Sequence, residues 1–382
     1  MAPVHGRAAL RLDAVLCSLR PSPAAAPGSI SPHWAGEELR AGIIGLDTSH
    51  SVAFVKALNA PSPPPEFQGT RVVAASKRGT GAETFRIAPM IASSSVRIPG
   101  YSAEVEALGV EVMGDNSSFQ LGEMLEKVDV VFLETNDGNP RLEQAVQVLR
   151  AGKPMFIDKP VAKDLPDTLT IYALATALKV PVFSSSSLRW AEGAQAAQRG
   201  DYGDILGCDS FGPANHDPEP TASPSLFWYG IHGVEMLYTA MGTGCKTVQM
   251  TSTADTDVCV GAWEDGRVGT YRGSRVNGSY GGTAFGTEKN GELGPYLGYE
   301  PMLAEILTFF RTGEPPVSDD ETLEIYVTTQ APLTAAASFP RMPLTVVAGF
   351  HVRRGGEQAP WRGGGEYRGG DGRSEAPRAA DH

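Results

Sequence analysis

The chain has 382 residues, 41% of them hydrophobic and 20% charged, an ordinary globular composition with room for two or three domains of roughly 150 residues each. A net charge of −12 repels phosphate backbones and anionic lipid, which argues against nucleic acid as a partner, and the longest apolar runs fall far short of the roughly 18 residues that cross a bilayer. Cys17, Cys208, Cys245 and Cys259 form no Cys-x-x-Cys pair, so neither a metal site nor a disulfide framework is indicated, and a reducing cytoplasm fits best.

Residues 1–40 are rich in Ala and Pro, and Arg11 and Asp13 interrupt the stretch Ala8–Leu19 that a signal peptide would need. They are expected to be a mobile extension. From Ala41 the pattern becomes regular. The run from Ala41 to Leu46 predicts a buried strand, Asp47, Thr48 and Ser49 a capped turn, and Val52, Val55 and Leu58 a helix. Arg71–Ala75, Val128–Leu133 and Pro154–Asp158 predict further strands, with a helix over Arg141–Ala151 stopped by Gly152. Residues 79–116 read as a loop or irregular insertion. A helix near Leu165–Lys179 leads to a strand at Val180–Phe183.

Strands alternating with helices predict an α/β amino-terminal domain, residues 41–161, with a Rossmann-like parallel sheet and helices on both faces. Beyond it, strand-like runs crowd together at residues 205–211, 247–253, 258–263 and 267–271, and Asp265-Gly266 is a hairpin signal. Residues 162–335 therefore read as an α+β domain with an open, mostly antiparallel sheet, completed by helices near Pro301–Phe310 and from about Asp319. Residues 336–382 end in a Gly- and Arg-rich tail with few aliphatic residues, expected to be disordered.

Three segments carry the residues suited to chemistry. The first turn, Gly45, Asp47, Thr48, Ser49 and His50, keeps one glycine of the fingerprint that lets backbone approach a pyrophosphate at a helix amino end. Asp47 and His50 stand at the second and third glycine positions, and a plain capped helix start explains them equally well. At the end of the second strand Lys77 and Arg78 replace the acid that would bind a ribose hydroxyl, which suits a 2′-phosphate and favours NADP over NAD, although an exposed basic loop reads the same way. The second segment is Asp158-Lys159-Pro160, where a strand-end lysine can polarise a substrate hydroxyl. The third runs from Trp228 to Glu235. His232 and Glu235 lie three apart on one helix face, so a carboxylate could orient an imidazole base.

Taken together, the chain from about Ala41 to Ile325 resembles the Gfo/Idh/MocA oxidoreductases. The carrying segments are Gly42-Ile-Ile-Gly45, Glu143-Gln-Ala145, Ala151-Gly-Lys153, Asp158-Lys-Pro160, Gly230 with His232, and Thr312 to Val317. The resemblance implies an NAD- or NADP-dependent oxidoreductase that transfers a hydride to or from a sugar, cyclitol or related polyol, with a homo-oligomer formed through the second sheet. It implies Lys159, His232 and Glu235 as catalytic residues. Gly45, Asp47, Thr48, Ser49, His50, Lys77, Arg78, Thr135, Asn136 and Asp158 would bind the cofactor, and Arg141, Arg189, Trp228 and Tyr229 the substrate. Trp228 stands where the family has an aspartate and Arg141 where it has a histidine. These departures leave two other readings open: a non-redox binding or regulatory descendant without a dinucleotide, and a sugar lyase or hydrolase that holds NAD permanently.

Overall fold

The computed structural model describes residues 38–77, 96–114, 121–214, 226–276 and 278–335, with the short strand Met342–Pro343. Its first sheet holds β1 (Leu39–Ile44), β2 (Thr70–Ser76), β3 (Glu111–Met113), β4 (Val130–Leu133), β5 (Met155–Asp158) and β6 (Val182–Ser185) in the order β3-β2-β1-β4-β5-β6. Every pairing is parallel. The order reverses between β1 and β4, which opens a crevice at the carboxyl ends of the central strands. All four residues of β4 are buried, because helices cover both sheet faces.

Those helices are α1 (Ser49–Leu58), α2 (Ile98–Ala107), α3 (Gly122–Lys127), α4 (Arg141–Arg150) and α5 (Leu165–Leu178). On one face Ala41, Ile43, Val130 and Phe132 pack with Val52, Phe54 and Val55 of α1. On the other, Ile44, Val131 and Leu133 pack with Ala145 and Val148 of α4 and Ile171 of α5. The sheet continues to Ser185, past residue 161. Within the segment read as irregular, residues 79–116, the chain forms α2 and β3; Arg78 and residues 79–95 lie outside the described residues.

α6 (Glu192–Arg199) leads to the second sheet, which runs β12-β11-β7-β10-β9-β8-β13. Its strands are β7 (Ile205–Pro213), β8 (Cys245–Ser252), β9 (Thr256–Trp263), β10 (Val268–Ser274), β11 (Gly281–Gly286), β12 (Asn290–Glu292) and β13 (Met342–Pro343). All pairs are antiparallel except β7 with β10. The expected hairpin joins β9 to β10, with Gly266 at φ 90° and the Trp263 amide donating to Arg267 O at 2.9 Å. Across this sheet lies α7 (Ile231–Met241), buried along its whole length. A Cβ at Gly233 would come within 2.3 Å of the Tyr271 ring, so the glycine sets the distance of closest approach and with it the position of His232.

α8 (Glu300–Thr312) and α9 (Asp319–Ala335) follow. α8 corrects an expectation: it packs on the first sheet rather than completing the second half. Its stripe of Met302, Leu303, Ile306, Leu307, Phe309 and Phe310 is buried in the same layer as Phe132 and Phe183, with Phe310 5.1 Å from Phe132 and Phe309 4.8 Å from Phe183 between ring centroids. Fully burying each such ring is worth about 1.5–3 kcal/mol, enough to hold a segment far along the chain on this face. No helix among the described residues is long and apolar enough to cross a membrane. Of the expected mobile extension 1–40, Leu39 and Arg40 instead belong to β1; residues 1–37 and, apart from β13, the tail from 336 lie outside the described residues.

Candidate active site

The crevice is built from the turns after β1, β4 and β5. Gly45 leaves β1 with φ 99° and its amide donates to Ser76 O at 3.0 Å. A Cβ there would lie 2.5 Å from the Thr135 backbone, so only glycine lets the β1 and β4 turns touch. The Ser51 hydroxyl donates back to Gly45 O at 2.6 Å. Thr48 caps α1 by accepting from the His50 amide at 3.4 Å, and Ser49 is exposed. Asp47 is fully buried and accepts from the Asn136 amide at 3.1 Å, tying the two turns together.

His50 reaches inward from α1. Its Nδ1 lies 3.1 Å from Asp158 Oδ2 and 3.8 Å from Glu134 Oε2, and its ring centroid is 4.4 Å from that of Tyr299. Burial would raise the Asp158 carboxyl, but the neighbouring His50, Lys159 and Arg141 hold it well below the usual carboxylate range. Glu134, completely buried, is pushed far up by burial and by the Asp158 charge.

Lys159 follows Asp158 and reaches the other half of the molecule, its Nζ 5.9 Å from the Tyr229 ring centroid. Burial lowers its pKa from the ordinary lysine value, and Arg141 lowers it further, against the opposing pull of Asp158. His232 stands in the first turn of α7, its ring 6.3 Å from Tyr229 and 5.6 Å from Tyr280. Burial, then the Lys159 charge, carries its pKa well below 6.5. Lys159 and His232, 73 residues apart in sequence by their numbers, thus both lie near the Tyr229 ring. Trp228 is half-buried beside Tyr229.

Three residues expected in the site do other work. Glu235 accepts from Arg189 Nε at 2.8 Å instead of meeting His232. Arg189 is itself buried and also binds Glu321 at 2.6 Å, so it is closed to substrate. Arg141 is fully buried and donates to the carbonyls of Thr135, Asp158 and Pro160. It clamps the β4 and β5 turns together. Lys77 lies half-buried just beyond β2.

The partner of His232 is Ser186, whose Oγ lies 2.6 Å from Nδ1 and accepts from the Leu188 amide at 3.1 Å. Sequence reasoning missed Ser186, Glu134 and Tyr299. A serine run closing β6 and an acid closing an apolar β4, both at crevice ends of strands, were the available signals.

No family model and no curated protein sequence matches the chain. Solved structures do. A myo-inositol dehydrogenase from Lactobacillus casei, in complex with NAD(H) and myo-inositol, is similar at 15% identity over 80% of this chain and 96% of that one, with a TM-score of 0.60. A scyllo-inositol dehydrogenase from Lactobacillus casei, with NAD(H) and scyllo-inositol, matches at 15% identity over 81% and 100%, TM-score 0.58. An oxidoreductase from Agrobacterium radiobacter, in complex with NAD+, L-tartaric acid and magnesium, matches at 15% identity over 81% and 99%, TM-score 0.61. The likeness expected from the sequence motifs therefore holds at the level of architecture: this chain shares the two-sheet fold of these dehydrogenases.

Proposed function

We propose that the chain is an NAD(P)-dependent oxidoreductase that transfers a hydride to or from a carbon bearing a hydroxyl in a sugar, cyclitol or related polyol. The observation that carries this reading is the convergence of Lys159, from the carboxyl end of β5, and His232, from the start of α7, on the Tyr229 ring beside the strand-end cleft. The dinucleotides and inositols held by the similar dehydrogenases suit such a cleft.

The α1 amino end fits an anionic pyrophosphate. No acid stands in its first turn, and its leading N–H groups and dipole favour negative charge. Gly45, Thr48, Ser49, Thr135 and Asn136 would line that half, Asp158 the nicotinamide half, and Lys77 would meet a 2′-phosphate, which favours NADP. The bound nicotinamide would supply the hydride acceptor or donor. Lys159 holds the substrate hydroxyl oxygen, and His232 takes its proton at Nε2 as the hydride leaves the adjacent carbon. For Nε2 to be the base, Nδ1–H must donate to Ser186 Oγ, which retains a lone pair beyond the one facing Leu188 N. Trp228 and Tyr229 offer ring faces to the carbon skeleton. Phe211, Val260 and Val268 share one exposed face of the second sheet and suit association with another copy of the chain.

The test is nucleotide titration followed by a sugar and cyclitol panel. Lys159→Met is expected to retain nucleotide binding and lose turnover by about a hundredfold or more; unchanged turnover would overturn the assignment. A second reading, a binding protein without a dinucleotide, is favoured by buried Asp47 and by His50 lying against Asp158 and Tyr299. Failure of both NAD and NADP to bind the purified chain would establish it.

A further inference from the structure

We propose that His50, Glu134 and Asp158 form a binding site for one divalent first-row transition cation. The proposal goes beyond the oxidoreductase reading and stands whether or not a dinucleotide binds.

The three side chains come from three separate elements, the first turn of α1 and the ends of β4 and β5, and converge at the crevice. All three are buried, and His50 Nδ1, a Glu134 oxygen and an Asp158 oxygen lie within 4.8 Å of one another. His50 Nδ1 is 3.1 Å from Asp158 Oδ2 and 3.8 Å from Glu134 Oε2. Metal–ligand bonds of about 2.0–2.2 Å place neighbouring ligand atoms roughly 3–3.5 Å apart, so small side-chain adjustments would seat one ion.

A second observation points to a ligand. Glu134 is completely inaccessible to solvent, yet neither carboxylate oxygen has a hydrogen-bond partner, and His50 Nδ1 also lacks one. Orphaned buried carboxylates are rare because each unmet acceptor costs on the order of 1–3 kcal/mol. Here Oε2 points at the imidazole nitrogen, which in turn lies at ion-pair distance from Asp158 without hydrogen-bond alignment. A cation among these atoms would satisfy them together.

The surrounding charge agrees. Asp47, Glu134 and Asp158 contribute three carboxylates, and Arg141 and Lys159 are the cations acting on the same group. One nitrogen and two carboxylate ligands suit Mn2+ through Zn2+ better than Mg2+ or Ca2+, whose sites are made of oxygen. Three protein ligands leave coordination positions for water or a substrate oxygen. Asp158 precedes Lys159, whose Nζ lies 5.9 Å from the Tyr229 ring centroid, so the ion would border the crevice already described.

The full-length protein, stripped with chelator and free of nucleotide, is titrated with MnCl2, CoCl2 and ZnCl2 by calorimetry, and the Co2+ form is read by visible absorption. One equivalent bound, with a Co2+ spectrum showing nitrogen and oxygen ligation, is the expected result. Glu134→Gln and Asp158→Asn, checked for folding by circular dichroism, should each weaken binding at least about tenfold. Absence of stoichiometric binding by all three cations to the wild-type chain overturns the proposal, as does undiminished binding in both folded variants. Neither outcome bears on nucleotide binding, which is measured separately.

Discussion

Ser186 Oγ lies 2.6 Å from Nδ1 of His232, while Glu235, one helical turn further along α7, is bound to Arg189. The imidazole is therefore positioned by a neutral hydroxyl, and the carboxyl group that stands nearby is held by Arg189. Removing the Ser186 hydroxyl leaves a buried ring nitrogen without its partner, so Ser186→Ala should destabilise the fold by about 1–3 kcal/mol in urea denaturation. It should also lower kcat by on the order of tenfold with little change in KM, because a base held in the wrong tautomer loses part of its contribution. Ser186→Thr should restore much of both. An unaltered kcat in Ser186→Ala would remove the positioning role.

Arg189 and Glu235 make the opposite kind of pair. Both are buried, and Glu321 joins them from α9. Burial raises the Glu235 carboxyl, and Arg189 pulls it back down. Arg189→Met strands that carboxylate and should cost about 3–5 kcal/mol, measured by denaturant unfolding. Glu235→Gln should be milder and leave KM for substrate unchanged. A KM rise as the main effect of Arg189→Met would return Arg189 to the substrate site.

Gly45 and Gly69 both have positive φ, 99° and 74°, but their surroundings differ. A Cβ at Gly45 would strike the Thr135 backbone, whereas one at Gly69 meets nothing within 4 Å. Gly69→Ala should cost only the backbone strain, about 1 kcal/mol. Gly45→Ala should cost that plus separation of the β1 and β4 turns, roughly 3 kcal/mol or more. Equal losses in thermal unfolding would show that the turns do not touch.

His232 sets a pH dependence whose sign follows from its burial. Its folded pKa lies below the unfolded value of about 6.5, so protonation favours the unfolded chain. The contribution is intact above about pH 6.5 and is lost as the pH falls through the depressed folded pKa. Unfolding free energy measured from about pH 7.5 down to about pH 5.5 should therefore fall more steeply for the wild type than for His232→Gln. Parallel profiles would mean that the ring is not held neutral.

Burial also governs the thiols, raising Cys245 to about 11 and Cys259 to about 12. Thiolate is the reactive form. Neither should be alkylated by iodoacetamide near neutral pH in the native protein, and both should react once it is unfolded, as read by peptide mass mapping. Rapid labelling of either in the native state would contradict the burial.

Much of this fold was legible because its strands obey simple patterning. Val130–Leu133 is uniformly apolar because both its faces are covered, and Asp265-Gly266 marks a turn whose backbone demands positive φ. β3 spans only three residues, too few to show a period. α8 displays its apolar stripe plainly in sequence, but a stripe does not say which sheet it will cover. The site shows the same division. Lys159 and His232 were readable as strand-end and helix-start residues with known chemistry. The choice of Ser186 over Glu235 depended on Arg189 capturing the carboxylate first, a contact spanning 46 residues that local spacing does not encode.

The return of α8 to the first sheet has a consequence for how the protein is made. Phe132 and Phe183 emerge from the ribosome long before Phe309 and Phe310, which cover them. Throughout synthesis of the second sheet the part of this oily wall that α1 does not cover stays bare, so the nascent polypeptide must be shielded by chaperones or by transient collapse. Native closure waits until the residues of α8 clear the exit tunnel.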